Sequence, residues 1–252
     1  MNVSCNFVLS GGGTRGYAHI GVIKALYEKG ITANAISGAS AGALIGAFIC
    51  DGFHPLEIEE IVVKNEPKLG FNYKHFWDNL LTFNAFTQVI KKNLRTRSLE
   101  NLRTPLHVAV TNLNTGLQEI ITQGSIIDAL SASAAIPMAL PAVFINGVPY
   151  ADGGISNNLP VAPFENAKEK IIGVHVNPLP DFTKSAGMMK NLDRAMTLVM
   201  LGGVTNNKKS CTVFIEPPDL KAFHAFESNK SKALISIGYN YVMDGFNLSG
   251  LE

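Results

Sequence analysis

Gly38-Ala39-Ser40-Ala41-Gly42 stands between an apolar run and a long apolar helical pattern. A serine sits on a sharp strand-to-helix turn only if its neighbours leave room, because the backbone is strained there and the flanking turns approach closely. Glycine two residues before and two after, Gly38 and Gly42, removes the side chains that would collide. The helix that follows points its free N–H groups and the positive end of its dipole at the serine oxygen, which favours an oxyanion. Ser40 is therefore the candidate nucleophile. Plain packing competes with this reading, since Gly42, Ala43, Gly46 and Ala47 lie four apart and suit a helix pressed close to a sheet. Two further stretches weigh the balance towards chemistry.

The first is Ser10-Gly11-Gly12-Gly13-Thr14-Arg15-Gly16, between the short apolar run 6–9 and a helical pattern. In that pattern Ala18, Gly21, Val22, Ala25 and Leu26 share a face opposite Lys24, Glu28 and Lys29, and Gly30 supplies a C-cap. Bare N–H groups in such a loop bind an anion, either a phosphate or a developing oxyanion. Gly11-x-Gly13-x-x-Gly16 fits a dinucleotide fingerprint, but the next strand candidate, Ala33 to Ser37, brings no acid for a ribose, and no Gly-Lys-Ser/Thr follows for a nucleoside triphosphate. An oxyanion hole is the third reading. Loops at the carboxyl ends of neighbouring parallel strands lie side by side, which would set this one beside Ser40. Arg15 holds the loop in shape, meets a phosphate, or is an ordinary surface cation.

The second is Asp152-Gly153-Gly154, delivered by a hairpin around Asn146-Gly147. The glycines let the backbone turn away so that the carboxylate faces inward. A carboxyl of ordinary pKa, about 3.9, is a weak base for a serine hydroxyl, and burial in a dry pocket raises its basicity. Taken alone, Asp-Gly-Gly is also a plain turn. Of the six histidines, His175 and His224 follow Asp152 in the order serine, acid, histidine. His175 sits in an apolar strand pattern as a structural side chain, and His224 lies in a polar-aromatic loop, so a histidine-containing triad is the weaker expectation.

These three stretches, in this order, resemble the patatin-like phospholipases in their bacterial-type, single-domain form. The resemblance extends through His19-Ile20-Gly21-Val22, the run 131–137 that ends in Ile136-Pro137, and Asn157-Asn158-Leu159-Pro160, and so covers most of the chain. It implies a three-layer α/β/α sandwich around a mixed, mainly parallel sheet. It implies a Ser40–Asp152 dyad without histidine, an oxyanion hole at Gly11, Gly12 and Gly13, and Arg15 at the basic position of the motif, with Gly38, Gly42, Gly153 and Gly154 in support. The activity implied is lipid acyl hydrolysis through an acyl-serine, of phospholipase A or lysophospholipase type. No metal or organic cofactor is implied. A non-lipid carboxylesterase, a nucleotide-binding module using the first glycine loop, and an idle hydrolase scaffold kept for binding are the alternatives.

Composition narrows the partners. The chain has 252 residues, enough for one domain over 1–252, and the family's extra targeting or regulatory domains are expected to be absent. A net charge of +1 gives no global field that would draw the chain to nucleic acid or to an anionic membrane. Three cysteines far apart, Cys5, Cys50 and Cys211, argue against disulfides or zinc and for a reducing, cytoplasmic setting. No run of about 18 apolar residues is present to span a bilayer, so membrane contact is expected to be transient and peripheral. The expected partner is a phospholipid or other acyl ester.

Elsewhere, the aromatic stretch from Phe71 to near Phe86, followed by Lys91, Lys92, Arg95 and Arg97, reads as the buried face of two packed helices or as a lid or membrane patch. Strands are expected at 105–110 and 117–122 around Asn114-Thr115-Gly116, a helix from Ile126 capped by Ser125, a helix from Pro160 through Ala167, a strand over 171–176, a helix over 192–201, a strand over 211–215 and a closing helix near 228–246. The loop from Asn177 to Gly187 is long enough to move near a site.

Overall fold

The apolar N-terminal run becomes β1 (Val3–Leu9), buried from Cys5 onward on both faces, as an inner parallel strand must be. It lies between β2 (Ile31–Ala39) and β7 (Ile171–Val174), parallel to both. The computed structural model describes residues 3–69, 87–137, 140–182, 188–224, 227 and 229–251. Its eight-stranded sheet runs β5-β6-β3-β2-β1-β7-β8, with β4 also paired to β3. Here β3 is Leu106–Asn112, β4 Gln118–Ile121, β5 Val143–Ile145, β6 Val148–Asp152 and β8 Val213–Ile215. β4, β5 and β6 join by antiparallel pairing and the rest is parallel, so the sheet is mixed.

Alternation along the strands sends side chains to two cores. From β1, Phe7 and Leu9 enter the larger one, together with Ile20, Ile23 and Leu26 of α1 (Ala18–Glu28) and Leu234 of α6 (Ser231–Met243). Helices α2 (Ala41–Cys50), α3 (Pro55–Leu69) and α4 (Ile126–Ser133) bury residues there too. Val8 points the other way, to Leu159, Val161, Phe164 and Val204 of α5 (Met188–Asn207). Helices therefore cover both faces of the sheet. Each fully buried Ile, Leu or Phe contributes about 1.5–3 kcal/mol over leaving it in water.

α1 and α6 cross with their backbones in contact. A Cβ on Gly21 would lie 1.9 Å from the Ile235 carbonyl oxygen, and one on Gly238 would lie 2.2 Å from that of Ala18. Local rules account for other elements. Ser125 caps α4 by accepting the Asp128 N–H. Asn146 and Gly147 both have positive φ, 51° and 82°, which is the turn that fits the twist of the β5–β6 hairpin.

The helix expected from Pro160 is reduced to one 3-10 turn, Ala162–Phe164. Pro163 explains this, because in a helix begun at Pro160 its ring would clash with the Leu159 carbonyl. The Pro160 carbonyl instead accepts the Ser37 hydroxyl at 2.7 Å. The aromatic stretch 71–86 lies outside the described residues, as do 183–187 of the loop after Asn177. Of the cations that follow, Arg95 is exposed, with its guanidinium 4.0 Å over the Phe53 ring and its Nη2 3.4 Å from Glu57 Oε1. No helix among the described residues is long and apolar enough to cross a membrane.

Candidate active site

Ser40 is the hinge between β2 and α2, with φ 49° and ψ −121°. A non-glycine residue held there stores about 1–3 kcal/mol of strain, so its surroundings must over-determine it. They do so by close approach. A Cβ on Gly38 would lie 2.6 Å from the Ala43 nitrogen, and one on Gly42 would lie 2.2 Å from the Leu9 carbonyl oxygen. The Ser40 N–H also donates to Ser133 Oγ at 2.8 Å, and that hydroxyl donates to the Ala109 carbonyl at 2.7 Å. With Leu9 against the first turn of α2, the loop after β1 is carried beside the serine. A Cβ on Gly11 would lie 3.1 Å from Ser40 Cβ.

The amides of that loop are not equivalent. Gly11 donates its N–H to Asn158 Oδ1 at 2.9 Å and accepts from Asn158 Nδ2 at 3.4 Å. Those of Gly12 and Gly13 donate to no acceptor among the described residues. Arg15 is fully buried, which rules out the surface-cation reading. Its Nε donates to the Phe223 carbonyl at 2.9 Å and its Nη1 to Asn177 Oδ1, so the guanidinium ties the loop to two distant segments. His19 is buried below the loop, where its Nε2–H donates to the Ser10 carbonyl at 2.8 Å. Burial lowers the pKa of His19 to about 4, the bond to Ser10 partly opposing this, so the ring is neutral near pH 7.

Asp152 reaches Ser40 through the sheet. Ala39 pairs with Ala109 on β3, and Asp152 pairs with the next residue, Val110. Val110 already faces Glu119 of β4 on its other edge, so β6 lies along the edge that β2 leaves at Ser40. The backbone of Asp152 is held from two sides, by its N–H to the Ala135 carbonyl at 2.9 Å and by the Thr111 hydroxyl to its carbonyl at 2.7 Å. Gly153 permits the turn, since a Cβ there would lie 2.2 Å from the Ala109 carbonyl oxygen.

The Asp152 carboxyl is fully buried. Oδ1 accepts the Gly154 N–H at 2.8 Å, and Oδ2 has no partner of hydrogen-bonding geometry. Burial raises its pKa to about 6, while the Ser40 hydroxyl and the Gly154 N–H pull it partly back. Ser40 thus stands near enough to favour the carboxylate without closing a hydrogen bond to Oδ2. No described histidine bonds to either residue. The His175 ring is engaged with Glu216 at 2.6 Å and stacks on Phe214, and His224 donates its backbone N–H to Glu227.

Asn158 has no place in the chemical reading of the sequence, yet it is fully buried and joins the loop at Gly11 to the turn after Asp152. A Cβ on Gly154 would lie 2.6 Å from its Oδ1. Ser133 was likewise legible only as a member of the run 131–137, and Asn177 only as the start of a loop. Asn158→Ala is expected to cost about 1–3 kcal/mol, the penalty of leaving the buried Gly11 N–H unpaired. Urea unfolding measures this, and an unchanged midpoint would mean that water replaces the amide. Among the described residues no cluster of His, Cys, Asp or Glu is large enough to hold a metal ion.

A strained serine at a strand-to-helix turn, a glycine loop beside it and a buried carboxyl at the end of β6 stand together in this α/β fold. Residues 7–165 match the model of the family described as patatin-like phospholipase, and the chain belongs to that family. It is 26% identical over 270 residues to lysophospholipase NTE1 of Kluyveromyces lactis, covering 94% of this chain and 19% of that protein. It is 30% identical over 181 residues to lysophospholipase NTE1 of Cryptococcus neoformans var. neoformans serotype D, covering 69% of this chain and 11% of that protein. The chain thus spans less than a fifth of the length of these relatives. The crystal structure of VipD from Legionella pneumophila has the same fold, with a TM-score of 0.56 at 16% identity, covering 95% of this chain and 66% of that one.

Proposed function

We propose that this chain is a lipid acyl hydrolase that cleaves carboxylic esters of phospholipids or lysophospholipids through an acyl-serine intermediate. Ser40 Oγ attacks the ester carbonyl and Asp152 Oδ2 takes its proton directly. The carbonyl oxygen, now negative, is received by the amides of Gly12 and Gly13 and by the N-terminus of α2. The tetrahedral intermediate collapses, and the proton on Asp152 passes to the departing alcohol oxygen. Water then adds to the acyl-serine, giving its proton to Asp152, and the second collapse releases the fatty acid and restores the Ser40 hydroxyl. Gly11 acts through its bond to Asn158, which fixes the loop rather than the oxyanion.

The observation that carries this reading is the neighbouring register of Ala39 and Asp152 on β3, with the Asp152 carboxyl buried and raised to about 6. A pKa there leaves the base largely ionised at pH 7 while making it more basic than a free carboxylate. The lysophospholipase relatives support lipid esters over other esters. The nucleotide-binding reading loses support from Arg15, whose guanidinium is turned to Phe223 and Asn177, and from β2, which ends in Gly38-Ala39 where a ribose-binding acid would stand.

A fluorophosphonate probe is expected to label Ser40 in the folded protein. Ser40→Ala should abolish labelling and lower turnover by about a thousandfold or more. Labelling of a different serine, or full turnover in the variant, would overturn the assignment. A thermal shift on adding NAD or ATP would favour the nucleotide reading.

A further inference from the structure

α5 carries apolar side chains where a solvent-facing helix ordinarily carries charge. Its inner side is set by Thr197 and Val204, both buried, and Val204 joins the second core. On the opposite side Ala195, Leu198, Val199 and Gly202 follow one another at spacings of three, four and seven, and all are exposed. Leu198 is 48% and Val199 55% exposed, so the stripe is covered by nothing described in this chain. Between Arg194 and Lys208 the sequence has no charged residue. Phe182, 71% exposed, lengthens the stripe, because the Arg194 guanidinium lies 5.8 Å from its ring and Arg194 is one turn before Leu198. Lys208 and Lys209 stand exposed just past the other end.

The stripe is fastened to the candidate site. Asn207, at the end of α5, donates to Asn157 Oδ1 at 2.9 Å and to the Leu159 carbonyl at 2.8 Å. A Cβ on Gly203 would lie 2.7 Å from Asn157 Oδ1. The next residue, Asn158, holds the glycine loop at Gly11.

We propose that the outer face of α5, with Phe182, docks on an anionic lipid bilayer and so brings the Ser40 site to the surface that holds its substrate. An apolar stripe with the exposed Lys208 and Lys209 past one end, and the half-buried Arg194 with the exposed Asp181 at the other, fits a negatively charged interface through its lysine end, where the side chains enter the acyl boundary and the lysines meet headgroups. A second copy fits less well. Antiparallel pairing of two α5 helices about a twofold axis would set Arg194 of each against Lys208 and Lys209 of the other. The purpose of the docking rests on the functional reading given above, but the binding itself does not.

The test uses the full chain carrying Ser40→Ala, so that lipids stay intact, with sedimentation onto vesicles of phosphatidylcholine containing about 30% phosphatidylglycerol. Added Leu198→Glu and Val199→Glu substitutions should lower partitioning about tenfold or more. Leu198→Ser with Val199→Ser should lower it in the same direction, which keeps the test decisive if the charged variant is poorly folded by circular dichroism. With Ser40 intact, hydrolysis of the soluble ester p-nitrophenyl butyrate should be unchanged by either pair while hydrolysis of vesicle lipid falls. The proposal is overturned if the parent does not sediment with these vesicles, if the serine pair sediments as well as the parent, or if the parent is a dimer that the substitutions dissociate. Vesicle binding without any ester hydrolysis by the Ser40 protein would leave the docking standing and sink the functional reading instead.

Discussion

Asp152→Asn is expected to lower turnover by about 10²–10⁴-fold, the range for loss of a positioned general base, while raising the melting temperature above pH 6. The second half follows from linkage. Burial raises the native carboxyl from 3.8 to about 6, so between about pH 4 and 6 the native state keeps a proton that the unfolded chain has released. Wild-type stability therefore falls as pH rises through that window, and above it the cost of an ionised buried carboxylate is fully present. A shift of about two units corresponds to about 3 kcal/mol at most. Asparagine does not titrate, its oxygen can still accept the Gly154 N–H, and its amide can donate to the Ser40 oxygen. Calorimetry should show no advantage for the variant near pH 3 and a gain of a few degrees at pH 8, at about 2–4 °C per kcal/mol for a chain of this size. In the wild type, kcat/KM should climb with pH through about 6 and then level. A lower melting temperature for the variant at pH 8 would mean that the carboxylate is held by charge rather than tolerated for its chemistry.

Gly21→Ala is expected to destabilise the protein by about 3 kcal/mol or more, the reverse of the usual gain of up to about 1 kcal/mol for replacing glycine in a helix. The new methyl would fall 1.9 Å from the Ile235 carbonyl oxygen, which is backbone and cannot swing aside. α6 would have to move off α1, opening space around Ile20, Ile23 and Leu234. Gly238→Ala meets the same obstacle from the other side, and Gly202→Ala, which meets nothing within 4 Å, is the control that should stabilise. Urea midpoints for the three separate the effects of contact from those of propensity. Equal midpoints for Gly21→Ala and Gly202→Ala would mean that the two helices are not in backbone contact.

What sequence could say about this chain was decided by distance along it. Strand, loop and helix at each glycine motif, the Asn146-Gly147 hairpin and the Ser125 cap all follow from residues within a few positions of one another. Ser40 and Asp152 were legible as candidates because each brings its own glycines. Arg15 was legible as the basic residue of the glycine loop but its partners were not, and Asn158 was legible only as part of a run, since the groups they bond lie 208 and 147 residues away. Gly21 looked like one more small residue on an apolar face until α6 arrived from the far end of the chain. The helix expected from Pro160 misread a proline pair: the first proline invites a helix and Pro163 forbids it.

Because β3 is the common rail for β2 and β6, the spacing of hydroxyl and carboxyl is a property of main-chain geometry and owes nothing to a long, mobile side chain. Lengthening the connection between β3 and β6 leaves that spacing alone. A single residue inserted within β6 between Tyr150 and Asp152 would turn the acid to the opposite side of the sheet, even with every side chain of the site retained. That spacing therefore survives changes in the loops, whereas drift by one rung within β6 would abolish it.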